Sequence, residues 1–140
     1  MQAICDHKLR FCRVDINRPG LCSNYMAWVT SSLHHDLINN KEAKIIIDGM
    51  TFVGDNEYVK KEIMAVPFKG KVSGYEDTYN FHHSSLPITV ECSFGVLVHR
   101  WGILRGPLNI PLMKVAPLML ALCSLHNYCI DKIMEMPGQC

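Results

Sequence analysis

The chain has 140 residues, 49% of them apolar and 19% charged, and its 14 Lys and Arg against 13 Asp and Glu leave a net charge of +1. That much apolar material excludes global disorder, and the length suits one domain or one piece of a larger one. The near-neutral balance gives no bulk argument for nucleic acid, so any basic surface has to be local.

The first elements read as a β-hairpin: Gln2 to Asp6 and Leu9 to Ile16 are short apolar and β-branched runs around an Asp6-His7-Lys8 turn. The chain opens inside that strand-like run, as a chain cut into at its front edge does. Pro19-Gly20 ends the hairpin, and Ser23 caps a single predicted helix from Asn24 to Ile38 with Met26, Val29, Leu33 and Leu37 on one face. A polar connection from Asn39 to Glu42 leads to the apolar run Lys44 to Ile47. Beyond Gly49, Thr51 to Val53 reads as a buried strand ending at Gly54-Asp55. A short helix is predicted from Glu57 to Met64, then a loop from Pro67 to Gly74.

From Asp77 the pattern is helical again. Val90, Phe94, Leu97, Val98 and Trp101 fall on one face, and Gly106-Pro107 breaks the run. The last helix, from about Leu112 to Met134, is apolar almost all round between Leu118 and Leu122 and is expected to be buried. The longest unbroken apolar run, Pro117 to Cys123, falls far short of the roughly 20 residues that span a bilayer, so no membrane contact is expected. The order β-β-α-β-(α)-α-α points to a mixed α/β layered fold. Seven Cys with no CxxC pair, and no secretory leader pattern, favour free thiols in an intracellular, reducing compartment.

Two carboxylates stand out. Asp55 ends the predicted strand Phe52-Val53-Gly54-Asp55, where active sites of open α/β sheets gather. Glu91 follows Val90 on the long helix, at the edge of its apolar face, and Gly95 leaves room one turn later. Phosphodiester hydrolysis needs an activated water and a stabilised leaving oxygen, which two divalent ions roughly 4 Å apart supply. Mg²⁺ and Mn²⁺ take oxygen ligands, so Asp and Glu are the fitting residue types. By spacing alone the bland readings, a turn Asp and a solvated flank Glu, are favoured.

Lys60, Lys61, Lys69 and Lys71 flank Phe68, with Tyr75, Tyr79 and Phe81 following. They form either a DNA-backbone strip with stacking aromatics or a solvated loop, and the loop is the favoured reading. His34-His35 and His82-His83 lack partner ligands at zinc spacing, and Cys92 is expected to be packed.

Several short motifs in a fixed order resemble PIF/Harbinger-like DDE transposases and their domesticated nuclease relatives. Gln2-Ala3-Ile4-Cys5-Asp6 with Leu9-Arg10-Phe11 is similar to that family's hairpin, and Arg18-Pro19-Gly20 to its turn. Val53-Gly54-Asp55 with Tyr58 resembles the segment carrying the second catalytic Asp; Asn80, His83 and Ser84 resemble the next motif. Val90-Glu91, Phe94-Gly95, Leu97 and Arg100-Trp101 resemble the segment of the catalytic Glu, and Leu125-His126-Asn127 the closing motif.

The resemblance implies an RNase H-like mixed sheet with flanking helices, its first strand missing here, as a partial domain over 1–135 with a tail over 136–140. It also implies catalysis by three carboxylates holding Mg²⁺ or Mn²⁺, of which Asp55 and Glu91 match two. Asp6 matches a turn Asp, not the first catalytic one. DNA is the implied partner, with a DNA-binding protein or a second copy of the chain as further candidates, and the nucleus the implied location. The sequence departs from the pattern at Asn24, where the family has Asp, at Pro87, where it has Arg, and at Cys92, where it has Arg. Those departures keep a second reading open: a non-catalytic DNA- or protein-binding module that retains the fold. A third is a remnant without a stable fold.

Overall fold

The computed structural model describes residues 1–16, 22–39, 51–58, 64–84 and 88–135. The elements are β1 (Gln2–Cys5), β2 (Phe11–Asp15), α1 (Asn24–Val29), α2 (Ser32–Asn39), β3 (Phe52–Val53), β4 (Met64–Ala65), α3 (Tyr75–Ser84), α4 (Ile88–Arg100), a 3₁₀ turn (Gly102–Arg105) and α5 (Leu112–Glu135). This is a mixed α/β arrangement whose described strands form two sheets of two strands each. The chain divides into two compact units: Met1–Gln2 with Asn17–Ile88, and Ala3–Ile16 with Thr89–Cys140.

In the second unit the hairpin turn is built by Asp6. Its carboxylate accepts from the backbone N–H of Lys8 (2.9 Å) and of Arg10 (3.0 Å), while Leu9 N–H donates to the Asp6 carbonyl (3.0 Å). An Asp side chain that bonds the backbone ahead of it is a turn-maker by mechanism. Leu9 takes φ 66°, the left-handed region that disfavours a branched side chain. Arg10 donates to Asp6 (2.8 Å) and to Asp131 of α5 (3.1 Å). Burial pushes the Asp6 carboxyl up, but the Arg10 and Lys8 bonds outweigh it and hold the group below its ordinary value.

The core of this unit is Phe11, Leu97, Leu122 and Cys123, with Phe94, Trp101 and Leu118 packed around it. Two α5 side chains fix β2 to that core. Asn127 accepts from Phe11 N–H (2.8 Å) and donates to Phe11 C=O (2.9 Å), filling both backbone positions that a neighbouring strand would fill. His126, fully buried, bonds the Leu9 carbonyl through Nε2 (2.9 Å) and meets the Arg100 guanidinium at Nδ1 (3.4 Å). The Nε2–H tautomer follows, because a carbonyl only accepts.

Two expectations shift here. The buried face of α4 centres on Ser93 and Leu97, 0% and 1% exposed, whereas Val98 of the predicted stripe is 38% exposed. Ser93 can be buried because its hydroxyl bonds the Thr89 carbonyl (2.8 Å). Nor is α5 buried all round: Leu122 and Cys123 face the core, and Leu120 and Leu125 are exposed. Taken as a whole helix rather than an unbroken run, Leu112–Ile133 is long and apolar enough to cross a membrane by length and composition, and only a small share of it is fully buried.

In the first unit, the single helix expected over 24–38 is two. Thr30 bonds back to the Met26 carbonyl through its hydroxyl (2.6 Å) and Ser31 to that of Trp28 (2.7 Å). The Ser31 hydroxyl then accepts from His34 N–H (3.1 Å), so it caps α2. Two adjacent hydroxyls thus end one helix and start the next although the apolar stripe runs on.

β3 and β4 pair in parallel, Phe52 with Met64 and Val53 with Ala65. Gly54 N–H extends the ladder to the Ala65 carbonyl (2.9 Å). β3 is less buried than expected, Val53 being 41% exposed. Met64, read as the end of a helix, begins a strand; a two-residue strand has no period to betray it, and its partner is supplied by the fold. α3 then holds the chain after β4. Asn80 accepts from Phe68 N–H (2.8 Å) and donates to Phe68 C=O (3.0 Å), and the buried His83 bonds the Ala65 carbonyl (3.2 Å). The Pro19-Gly20 turn, the 44–47 run, Gly49 and Pro87 lie outside the described residues.

Gly54 is buried, and a Cβ there would lie 2.9 Å from Tyr58 Cδ2 and 3.0 Å from Met64 Sδ. Gly54→Ala should therefore destabilise the first unit by about 1–3 kcal/mol, read in urea unfolding. His126 supplies a pH test. Burial lowers its pKa from 6.5, Arg100 lowers it further, and the Leu9 bond opposes them. The unfolded chain then binds this proton at higher pH than the folded one. Its contribution to stability is complete above about 6.5 and declines as pH falls below that value. In His126→Gln this part of the pH dependence should vanish; an unchanged profile would contradict the assignment.

Candidate functional site

Asp55 stands at the end of β3, one residue past the buried Gly54, with its own side chain half-buried. Its Oδ1 accepts from Glu57 N–H (2.9 Å) and its carbonyl from Tyr58 N–H (3.3 Å), so it makes the turn that leaves the strand. Its Oδ2 accepts from the Asn24 amide at 3.3 Å. Each oxygen has one N–H donor and keeps lone pairs free, so the turn role and a ligand role are compatible.

The Asn24 contact is set by how α1 docks. Ser23 serves as the helix N-cap, accepting from Met26 N–H, which leaves the Asn24 side chain free of capping duty. One turn on, the buried Trp28 packs edge-on against Phe52 and Tyr58, with ring centroids 6.2 and 6.3 Å apart. Asn24 and Trp28 share a helix face, so the ring that grips both flanks of Asp55 also brings the amide to its carboxylate. Tyr58 is held by Gln2 Nε2 (3.2 Å); burial, then the nearby Asp55 and Glu57 charges, push its hydroxyl pKa up against the Gln2 bond.

Glu91 lies in the first turn of α4 and is exposed, not tucked at the edge of the buried face. A carboxylate there is favoured by the helix dipole. A Cβ at Gly95, one turn on, would meet nothing within 4 Å, so the space expected beside Glu91 is present. Cys92, expected to be packed, is exposed, because the buried face falls on Ser93 instead. Asp55 and Glu91 belong to different units.

Both carboxylates suit Mg²⁺ or Mn²⁺ in kind, being oxygen donors open to solvent on at least one side. They fall short in number: among the described residues no three His, Cys, Asp or Glu side chains stand together as a metal-holding group. The contact that sequence reasoning missed is Asn24 with Asp55. Asn24 was visible only as a departure from a motif; the free side chain beside an already capped helix was the available signal.

Of the predicted basic strip, Lys69 and Lys71 are exposed on either side of Gly70, whose φ of 89° makes the turn between them. Lys60 and Lys61 lie outside the described residues. Phe68 is no free stacking surface: its ring packs on Tyr79 at 5.2 Å, and Asn80 grips its backbone. Tyr75 and Phe81 are exposed. The remaining motif residues work on the fold. Arg100 donates to the His126 carbonyl (3.2 Å), and Asn80, His83, His126 and Asn127 hold the backbone of Phe68, Ala65, Leu9 and Phe11 in that order.

Compared with known proteins, residues 1–127 match the family model described as DDE superfamily endonuclease. The chain is 25% identical over 141 residues to the protein named Protein ALP1-like from Arabidopsis thaliana, covering 94% of this chain and 35% of that protein. It thus spans about a third of that relative's length. No solved structure matches it.

Thiol reactivity tests the placement of the cysteines. Burial pushes the Cys5 thiol up to about 11 and raises that of Cys123. Limited alkylation at mildly alkaline pH, mapped by mass spectrometry, should mark the exposed Cys92 well before Cys5 or Cys123. Equal labelling of Cys5 and Cys92 would contradict the packing of β1 and α4.

Proposed function

The chain belongs to the DDE superfamily endonucleases, and on that premise we propose that it works as part of a divalent-metal-dependent domain acting on DNA phosphodiesters, with Asp55 and Glu91 among the carboxylates that hold the ion. An RNase H-like sheet and residence in the nucleus are part of the same reading. The observation that carries it is the setting of Asp55: a strand-end carboxylate after a parallel pair, past a glycine that only a bare Cα fits, with both oxygens oriented by N–H donors.

When bound, Mg²⁺ or Mn²⁺ supplies an activated water and a counter-charge for the leaving oxygen. The protein's share is to hold and aim the ligands. Asp55 is fixed by its turn and by Asn24; Glu91 projects from the first turn of a helix. Lys69 and Lys71, exposed on a tight turn, offer charge to a phosphate backbone. Because the chain spans 35% of the length of its relative, further oxygen ligands from a longer chain or a partner are part of the proposal.

A second reading is favoured by one observation: no three metal-holding side chains group among the described residues. On that reading the chain is a binding module for DNA or protein that keeps the fold without the chemistry. Calorimetry with Mn²⁺ on the chain, Asp55→Ala and Glu91→Ala separates the two. The nuclease reading predicts binding that each substitution abolishes. No binding, or binding indifferent to both, leaves the binding module.

A further inference from the structure

We propose that the outer face of α5 is a dimer surface, on which a second copy of this chain packs its own α5 antiparallel to the first. The inference is independent of the nuclease reading, because α5 carries none of the carboxylates or lysines named there. The inner side of α5 sends Leu122, Cys123 and His126 into the core. The opposite side runs through Lys114, Pro117, Ala121, Ser124, Tyr128 and Asp131, in steps of three and four that keep one stripe of a helix facing one way. All but Asp131 are exposed, and its side chain is half-exposed. From Val115 to Ile130 there is no Asp, Glu, Lys or Arg. The outward face of a helix in a monomer ordinarily carries charge. Here Leu120 and Leu125, each 47% exposed, widen the uncharged stripe on its two flanks. Ser124 stands at the centre of the stripe, and its hydroxyl already donates to the Leu120 carbonyl (3.0 Å), so covering it leaves no donor unmade.

The stripe is its own complement. Turned end for end about a point between residues 122 and 123, it sets Ala121 on Ser124, Pro117 on Tyr128 and Lys114 on Asp131 of the second copy. Each pair then occurs twice, as a closed two-fold interface requires. The small side chains of Ala121 and Ser124 let the two backbones approach, and Leu120 and Leu125 meet their own counterparts on the flanks. Charge selects the direction. Antiparallel pairing brings the Lys114 ammonium to the Asp131 carboxylate; Arg10, beside Asp131, is already balanced by Asp6. Parallel pairing would set Lys114 on Lys114 and Asp131 on Asp131, and like charges repel. Length sets the strength: from Lys114 to Asp131 the stripe is roughly 27 Å long. One helix face of that length offers less than the roughly 800 Å² per partner of a standard interface, so the dimer is reversible, with a Kd of about 10–100 µM.

The test is sedimentation velocity under reducing conditions, from about 1 to 500 µM chain, on the native chain, Ala121→Glu and Lys114→Glu, with melting curves at the lowest concentration. The native chain should pass from monomer to dimer and stop there. Ala121→Glu buries a charge against Ser124 and should stay monomeric throughout with its melting curve unchanged. Lys114→Glu, in the first turn of α5 where a carboxylate suits the helix, should weaken the dimer about 10-fold; if Ala121→Glu fails to fold, this variant decides. A native chain that stays monomeric overturns the proposal, and pelleting of that monomer with phosphatidylcholine vesicles would assign the face to lipid instead. Dimers indifferent to both substitutions, or association that runs on past the dimer, overturn it as well.

Discussion

A backbone N–H or C=O left unpaired in a packed interior costs about 1–3 kcal/mol, so chain in and beside a short strand needs hydrogen-bond partners from other elements. Both units answer that constraint with the same device. A helix lays an Asn and a His against a strand and the chain beside it. The Asn amide takes one residue's N–H and C=O together, and the His ring takes a carbonyl two or three residues before it. On α5 the pair is Asn127 on Phe11 and His126 on Leu9. On α3 it is Asn80 on Phe68 and His83 on Ala65. Of the four residues so held, Phe11 and Ala65 lie in strands, and Leu9 and Phe68 lie in the chain beside them.

This divides the residues that mark the family. Asn80, His83, Arg100, His126 and Asn127 are spent on holding backbone and on one another. Asp55 and Glu91 are not: the first carries its turn and the Asn24 amide with lone pairs to spare, and the second is exposed at the start of α4. Ala65 links the two sets, since its carbonyl accepts from both Gly54 N–H and His83, so α3 steadies the ladder that ends at Asp55.

What the sequence made legible was local. The hairpin followed from two β-branched runs around a turn-making Asp, and the long helices from their apolar period. The motif order led to the family. What stayed hidden depends on partners far along the chain. Asn127 meets Phe11 across 116 residues and Asn24 meets Asp55 across 31, and no spacing rule reaches so far. The break after α1 was missed for another reason: apolar periodicity is silent about hydroxyls, and Thr30 and Ser31 act through theirs. The exposure of Cys92 turned on a shift of one position in the buried face of α4, set by a serine that satisfies its own hydroxyl.

The assignment of Asn80 and Asn127 to holding backbone is tested most directly by residue-resolved amide hydrogen exchange on the native chain, Asn80→Ala and Asn127→Ala. The account predicts that the Phe11 and Phe68 amides are protected in the native chain. Asn127→Ala should release Phe11 and leave Phe68 protected, and Asn80→Ala should do the reverse. Rapid exchange of either amide in the native chain, or protection indifferent to both substitutions, would contradict the assignment of these motif residues to the fold.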